Sequence, residues 1–148
     1  MDAHTLVEQL NLELEKHSDA AKNAMQLVLD AVPEKAKQLN FEIFPAQDDD
    51  GFFTIRANPD GPDLYVLNKH IREVADIFDP KYIDGEICPY IPTVDPFDIE
   101  YEANDIVVDC AANWLAKLWK NLNISHVKIP VYVVGHDDYG TITPIKLQ

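Results

Sequence analysis

One long apolar stripe constrains how this chain of 148 residues can fold. The sequence from Asn104 to Leu122 has apolar residues at spacings of three and four, the pattern of an amphipathic helix. These residues are Ile106, Val107, Cys110, Ala111, Trp114, Leu118, Trp119 and Leu122. Asn104 is a suitable N-cap residue. Such a stripe needs a broad apolar partner, which in a chain of this length is expected to be a sheet, and we expect both tryptophans in the core.

A first hairpin is predicted from Phe41–Phe44 and Gly51–Arg56. The stretch between them is Asp48-Asp49-Asp50-Gly51, and its Asp-Gly pair is a strong turn signal. Three aspartates could also hold a calcium ion. The rest of an EF-hand ligand pattern is missing, however, so solvated turn formation is the favoured interpretation.

Further strands are predicted on either side of the long helix. Phe97, Ile99 and Tyr101 alternate with acidic residues, which predicts a middle strand with one buried and one acidic face. After the helix, residues 127–133 and 141–145 predict a second hairpin. Pro144 lacks an amide donor and is best placed at a sheet edge.

The remaining helices are predicted with open alternatives. Either one helix runs from Thr5 to Ala31 or two helices meet near His17-Ser18-Asp19, and the cap-type residues slightly favour a break. Thr5 and Glu8 fit a capping box. Helical spacing recurs from Leu64 to Phe78, although 64–67 could instead form a strand. Prolines within 79–96 predict an extended loop there.

These elements predict a single α+β domain spanning residues 1–148. Its parts are N-terminal helices, a mostly antiparallel sheet built from two hairpins plus a middle strand, and the amphipathic helix 104–122 packed on that sheet. An apolar content of 47% is too high for a disordered chain.

The sequence shows neither a secretory signal nor an apolar run of the roughly 18–20 residues needed to cross a bilayer. The two cysteines, Cys88 and Cys110, do not form a disulfide framework. We therefore expect a cytoplasmic protein with reduced thiols.

Catalytic signatures are missing. Ser18 and Ser125 are the only serines, and neither lies in a nucleophile-elbow motif. Cys110 falls on the apolar stripe, whereas Cys88 is expected to be exposed beside carboxylates that disfavour its thiolate. With five glycines and no glycine-rich phosphate loop, no cofactor is predicted.

The best metal candidate is the loop His136-Asp137-Asp138, which puts an imidazole beside two carboxylates. These residue types are also ordinary turn formers, and that interpretation is favoured. We therefore predict no metal site. A small metal-dependent hydrolase using this loop is the alternative function.

The charge of the chain is more informative. Twenty-six acidic residues against twelve basic ones give a net charge of −14, which should repel nucleic acid and anionic membranes. The stretch Asp76–Asp109, called the acidic window below, contains ten acidic residues and only one basic residue, Lys81. The acidity is therefore concentrated in one part of the chain.

The acidic window has two interpretations. It is either a solvated face that maintains solubility, or a surface that binds a basic protein through carboxylates and aromatic anchors. In the second interpretation the partner-binding residues are Asp79, Tyr82, Asp84, Glu86, Tyr90, Asp95, Asp98, Glu100 and Glu102.

In overall profile the chain resembles the small acidic immunity proteins of bacterial toxin–immunity systems, such as contact-dependent inhibition and polymorphic toxin systems. The resemblance is carried mainly by the acidic window and by no diagnostic motif. It implies a stoichiometric inhibitor, not an enzyme, that covers the active site of a basic toxin domain, often a nuclease. We expect a monomer or weak homodimer. A third hypothesis is a module that self-associates through the central helix or the Pro144 edge.

Overall fold

Apolar and polar residues alternate along the two central strands and so place the core on one side of the sheet. In the computed structural model, which describes residues 1–148, these strands are β1 (Gln38–Pro45) and β2 (Phe53–Asp60). Leu39, Phe41 and Ile43 of β1 are fully buried, while the residues between them are only partly covered. The buried face carries the helices, as the sequence predicted for an α+β domain.

The sheet is mixed and has five strands in the order β3-β2-β1-β6-β7. The outer strands are β3 (Asp76–Phe78), β6 (Val131–Gly135) and β7 (Ile145–Lys146). Three of the four pairings are antiparallel, and only β1 and β6 run parallel. The sheet is therefore mostly antiparallel, as predicted. Its parallel pair requires a long crossover connection, which contains the long helix predicted at 104–122.

Four helices complete the domain: α1 (Ala3–Lys16), α2 (Ser18–Ala31), α3 (Leu64–His70) and α4 (Ala103–Trp119). The break favoured near His17 is confirmed. None of them has the combination of length and apolarity needed to cross a membrane. The predicted capping box at Thr5 is wrong, because Asp2 caps α1 by accepting a hydrogen bond from the Thr5 amide at 2.7 Å. That hydrogen bond lowers the pKa of Asp2.

Helix α4 corresponds to the predicted helix 104–122, but it begins at Ala103 and ends at Trp119. Asn104 is not its N-cap; it is a buried residue of the first turn. Trp114 and Trp119 lie in the core, as expected. The Trp114 indole donates a hydrogen bond to Ser18 Oγ at 2.9 Å and meets the Phe78 ring edge-on, with centroids 5.7 Å apart.

The helical spacing from Leu64 to Phe78 gave a partly wrong prediction. Residues 64–67 are helical, which settles that alternative, but α3 ends at His70 and Asp76–Phe78 form β3. Ile71 and Ala75 are buried although they lie beyond the helix. Turns therefore bring the same apolar residues to the core that a longer helix would have brought.

Both strands predicted for the second hairpin were wrong in part, since β6 begins at Val131 and residues 127–130 lie outside it. The second hairpin is shorter than expected, because β7 contains only Ile145 and Lys146. Residues 141 and 142 are not in a strand, because their amides donate to the carboxylate of Asp109 instead of to a neighbouring strand. Pro144 precedes the edge strand β7, which agrees with the predicted edge position.

The buried position of α4 predicts a large effect of truncation there. Leu115 is fully buried in α4, so Leu115→Ala should reduce the free energy of unfolding by about 2–5 kcal/mol, the usual cost of such a cavity. Urea denaturation would measure this change. The matched control is Leu12→Ala on the exposed face of α1, where the change should stay within about 0.5 kcal/mol. Equal effects of the two substitutions would contradict the assigned core.

Candidate protein-binding surface

The two halves of the acidic window are attached to the same part of the sheet, the β1–β2 turn (residues 46–52). The amide of Val94 donates to the carbonyl of Asp50 at 2.7 Å. The amide of Asn104 donates to Asp49 Oδ1 at 2.8 Å, and the Tyr82 ring stacks on Phe52, with centroids 5.4 Å apart. One turn therefore fixes residues that are more than twenty positions apart in the chain.

The aspartates of this turn act as turn formers. Asp49 has a left-handed backbone conformation with φ of 54°, and Gly51 has φ of 90°. The carboxylate of Asp50 accepts a hydrogen bond from the Phe52 amide at 2.9 Å. Left-handed residues are usually Gly, Asn or Asp, which explains the composition of the turn. No group of three or more His, Cys, Asp or Glu side chains in the structure could hold a metal ion.

A small hairpin lies within the stretch that was predicted as an extended loop, 79–96, so that prediction was partly wrong. Strands β4 (Lys81–Ile83) and β5 (Glu86–Cys88) pair antiparallel around Asp84 and Gly85. Both turn residues have positive φ, 52° and 82°, as a two-residue hairpin turn requires. The prolines flank the hairpin and do not interrupt it. The Asp-Gly pair was the signal that could have revealed it.

The predicted middle strand at 97–101 is wrong. Pro96–Asp98 form a single turn of 3-10 helix, capped by the Asp95 side chain, which accepts from the Phe97 amide at 2.9 Å. Phe97 was expected to face the core, but it is 95% exposed. The five-stranded sheet consists of β1, β2, β3, β6 and β7, so residues 97–101 contribute no strand to it.

Tyr101 ties this segment to the start of α1. Its hydroxyl donates a hydrogen bond to the carbonyl oxygen of Met1 at 2.7 Å. Burial raises the pKa of Tyr101, and the nearby charge of Asp2 adds to the increase. The hydrogen bond and the Asp95 cap hold both ends of the segment that presents Phe97.

Five of the ten acidic residues in the window are used within the fold. Asp76 pairs with Arg56 at 2.6 Å and Asp79 with Lys81 at 3.3 Å, while Asp95 caps the 3-10 turn. Asp105 accepts a hydrogen bond from the Gly140 amide, and Asp109 accepts from Thr141 and Ile142. The predicted partner-binding residues Asp79 and Asp95 are therefore engaged inside the protein.

The other five acidic residues are exposed, and their side chains make no hydrogen bond or ion pair with the rest of the chain. These free acids are Asp84, Glu86, Asp98, Glu100 and Glu102. All five belong to the predicted partner-binding set, as do Tyr82 and Tyr90, which are 61% and 55% exposed. Ile83 and Phe97 are also exposed but lie outside the predicted set; Phe97 was missed because its alternation with acidic residues placed it on the buried face of the predicted middle strand.

The alternative metal loop has a different role in the structure. His136 Nδ1 lies 2.7 Å from Glu42 Oε2, and its ring packs on Phe44 with centroids 4.8 Å apart. Asp137 and Asp138 have positive φ, 53° and 62°, within a short 3-10 turn. The imidazole is thus held against the sheet by a carboxylate of β1, and the aspartates shape the turn.

A cavity of about 390 Å³ lies between the end of α2 and the loop 126–129. At its rim, His126 Nε2 is 2.9 Å from Asp30 Oδ1, which also accepts a hydrogen bond from Gln26. No serine, threonine or cysteine lines this cavity. It therefore offers no hydroxyl or thiol nucleophile beside the histidine.

The comparisons with known proteins identify a family but no function. Residues 1–148 match the model of a family described as "Family of unknown function (DUF6389)". No curated protein and no solved structure matches the chain.

The division of the acidic residues predicts different costs for two substitutions. Asp109→Ala removes three hydrogen bonds to the loop 141–142 and should lower the free energy of unfolding by about 1–3 kcal/mol. Glu100→Ala removes a free acid and should change it by less than about 0.5 kcal/mol. Chemical denaturation of both variants makes the comparison. Similar values for the two would mean that the Asp109 contacts do not stabilise the fold.

The two cysteines should differ in reactivity. Cys88 is exposed, whereas burial raises the pKa of Cys110 to about 11, with Asp109 adding to the increase. A thiol reagent at pH 8 should label one thiol per native chain and two after unfolding, and Cys88→Ser should abolish the native labelling. Two rapidly labelled thiols in the native protein would contradict the burial of Cys110.

The raised pKa of Cys110 also makes the free energy of unfolding depend on pH, with a defined sign. The native state holds the Cys110 proton more tightly than the unfolded state, in which the thiol has a pKa near 9.0. The contribution of this thiol to stability is therefore constant below that value and is lost progressively as the pH rises from about 9 to about 11. Cys110→Ala should remove this component from the alkaline stability profile.

Proposed function

We propose that this chain, which belongs over residues 1–148 to the DUF6389 family of unknown function, is a stoichiometric binding protein that covers a basic partner protein. The contact surface consists of a hairpin part and a segment part. The hairpin part is Tyr82, Ile83, Asp84, Glu86 and Tyr90, and the segment part is Phe97, Asp98, Glu100 and Glu102. These residues are called the contact surface below.

The observation that carries this proposal is the exposure of Phe97. A phenylalanine that is 95% exposed forgoes the burial that normally stabilises a fold by about 1.5–3 kcal/mol. Here the exposed ring lies on a turn fixed by the Asp95 cap and by Pro96. Because the backbone of this turn is already fixed, docking the ring costs little backbone conformational entropy, which favours Phe97 as a hot-spot residue.

The charges around this anchor favour a basic partner. Asp98, Glu100 and Glu102 follow Phe97 closely, and none of their carboxylates has an internal partner. Carboxylates that are free in the unbound protein can pair with lysine and arginine without breaking an existing ion pair. The net charge of −14 should also accelerate the encounter with a cationic protein at low salt.

The specific form of this proposal is toxin immunity. In the immunity proteins that the chain resembles, a small acidic protein blocks the active site of a basic toxin domain, often a nuclease. A nuclease must hold a phosphate backbone with cationic side chains. The free acids of the contact surface would neutralise such groups, and Phe97 would anchor the complex. Inhibition would then be steric and electrostatic, without turnover.

The test is a pull-down from the native cell with tagged protein, followed by quantitative binding to the captured partner. We expect one basic protein, bound in a 1:1 complex at low salt. Binding should weaken at about 0.5 M salt, where the Debye length falls to about 4 Å. Only acidic partners, or none at either salt concentration, would contradict the proposal.

Substitutions within the contact surface make the test specific. Phe97→Ala should weaken binding of that partner by about 10- to 30-fold, as expected for a hot spot of roughly 1.4–2 kcal/mol. Leu27→Ala is the matched control, since Leu27 is an apolar residue of α2 that is 57% exposed. The double substitution Asp98→Lys and Glu100→Lys should reduce the salt dependence of binding more than the control double substitution Glu34→Lys and Glu73→Lys. If Phe97→Ala and Leu27→Ala bind equally well, Phe97 is not the anchor.

A further inference from the structure

An open groove of about 540 Å³ runs between β5 and the chain that follows it. It is lined by Tyr82, Gly85, Glu86, Ile87, Tyr90, Ile91 and Thr93. Ile91 is fully buried and Ile87 is half-buried against the core, so the base of the groove is continuous with the fold. The two tyrosines are its exposed aromatic residues.

The Tyr82 ring is held in a defined orientation. One of its faces stacks on Phe52 at an interplanar angle of 17°, yet the residue remains 61% exposed. The stacked face is covered by the β1–β2 turn, which leaves the other face of the ring open to a ligand. In β4–β5, Tyr82 is paired directly with Ile87, which packs against the core and restrains the strand that carries the ring.

The charge of the groove is negative. Glu86 lines it and is exposed, and its carboxylate has no hydrogen bond or ion pair with another residue. No lysine, arginine or histidine lines the groove. Aromatic faces attract cations through the ring quadrupole, and a free carboxylate attracts them further. The complementary ligand is therefore a flat or compact cation with an apolar stem.

We propose that this groove receives an arginine side chain of the basic partner; the inference rests on the binding function proposed above and names the group that the hairpin part recognises. A guanidinium is planar and weakly hydrated, so it can stack on an aromatic face while its edge donates hydrogen bonds to a carboxylate. A lysine ammonium is compact and strongly hydrated, and it gains less from an open groove. The arginine stem would lie on Ile87.

The first experiment uses blocked tripeptides, acetyl-Gly-Xaa-Gly-amide, in which Xaa is arginine, lysine or citrulline. They are titrated into the full chain at low salt and followed by amide chemical shifts. The arginine peptide should bind with a dissociation constant on the order of millimolar, with shifts centred on residues 82–93. Lysine should bind about threefold more weakly or worse, and uncharged citrulline should cause no shift. Equal binding of arginine and lysine, or shifts elsewhere, would overturn the proposal.

Variants separate stacking from charge. Tyr82→Leu and Tyr90→Leu should each weaken binding of the arginine peptide by about two- to fivefold. Tyr82→Phe should retain binding because the ring face is kept. Glu86→Gln should reduce the preference for arginine over citrulline. The controls are Tyr65→Leu on α3, where the tyrosine is 70% exposed, and Glu73→Gln, which changes an exposed acid outside the contact surface. Controls that weaken the peptide as much as the groove variants would show charge attraction without a site.

The failure of this inference is distinguishable from failure of the proposed function. If the captured partner responds to Phe97→Ala but not to Tyr82→Leu, Tyr90→Leu or Glu86→Gln, the arginine groove is wrong while the binding function stands. If the arginine peptide binds the groove and the partner loses affinity in these three variants, both are supported. Retained amide dispersion in each variant would show that the hairpin is still folded.

Discussion

The burial of α4 on two sides is the constraint on which the rest of the structure depends. Eleven of its seventeen residues are buried, more than the single stripe of a surface helix requires. It contacts β1 and β6 on one side and α1 and α2 on the other. Trp114 links these layers, since its indole bonds Ser18 while its ring meets Phe78. The helix is thus the centre of the core and also the crossover between the parallel strands.

The β1–β2 turn connects the contact surface to this helix and so fixes the position of that surface. At the start of α4, buried Asn104 donates from its backbone to Asp49 and from its side chain to the carbonyl of Ala46. Its Oδ1 has no partner, a cost that is tolerated beside two well-made hydrogen bonds. The same turn accepts from Val94 and stacks Phe52 on Tyr82. The hairpin and the residues on either side of the 95–102 segment are therefore held by contacts with one turn.

Much of this architecture could be read from the sequence, and the failures have physical causes. The helical spacing of α1, α2 and α4 was reliable because many apolar residues repeat the same period. The strand predicted at 97–101 rested on three apolar residues, too few to outweigh Pro96 and the cap that Asp95 provides. The prolines within 79–96 predicted a loop and obscured the β4–β5 hairpin, although Asp84-Gly85 is a strong signal for its turn. Acidic residues that are indistinguishable in the sequence differ in the structure, because only some of them have a hydrogen-bond donor within reach.

The sequence by itself determined the α+β class, the helices around a central amphipathic segment, the first hairpin and the concentration of negative charge in one window. These depend on local period, turn chemistry and composition, which each segment carries alone. Only the tertiary structure decided which carboxylates are consumed by the fold, which aromatic rings are exposed and which distant residues meet at the β1–β2 turn. Those outcomes depend on donors and apolar surfaces supplied by other segments. A single strand or helix cannot specify them, because their free energy comes from contacts that exist only after folding.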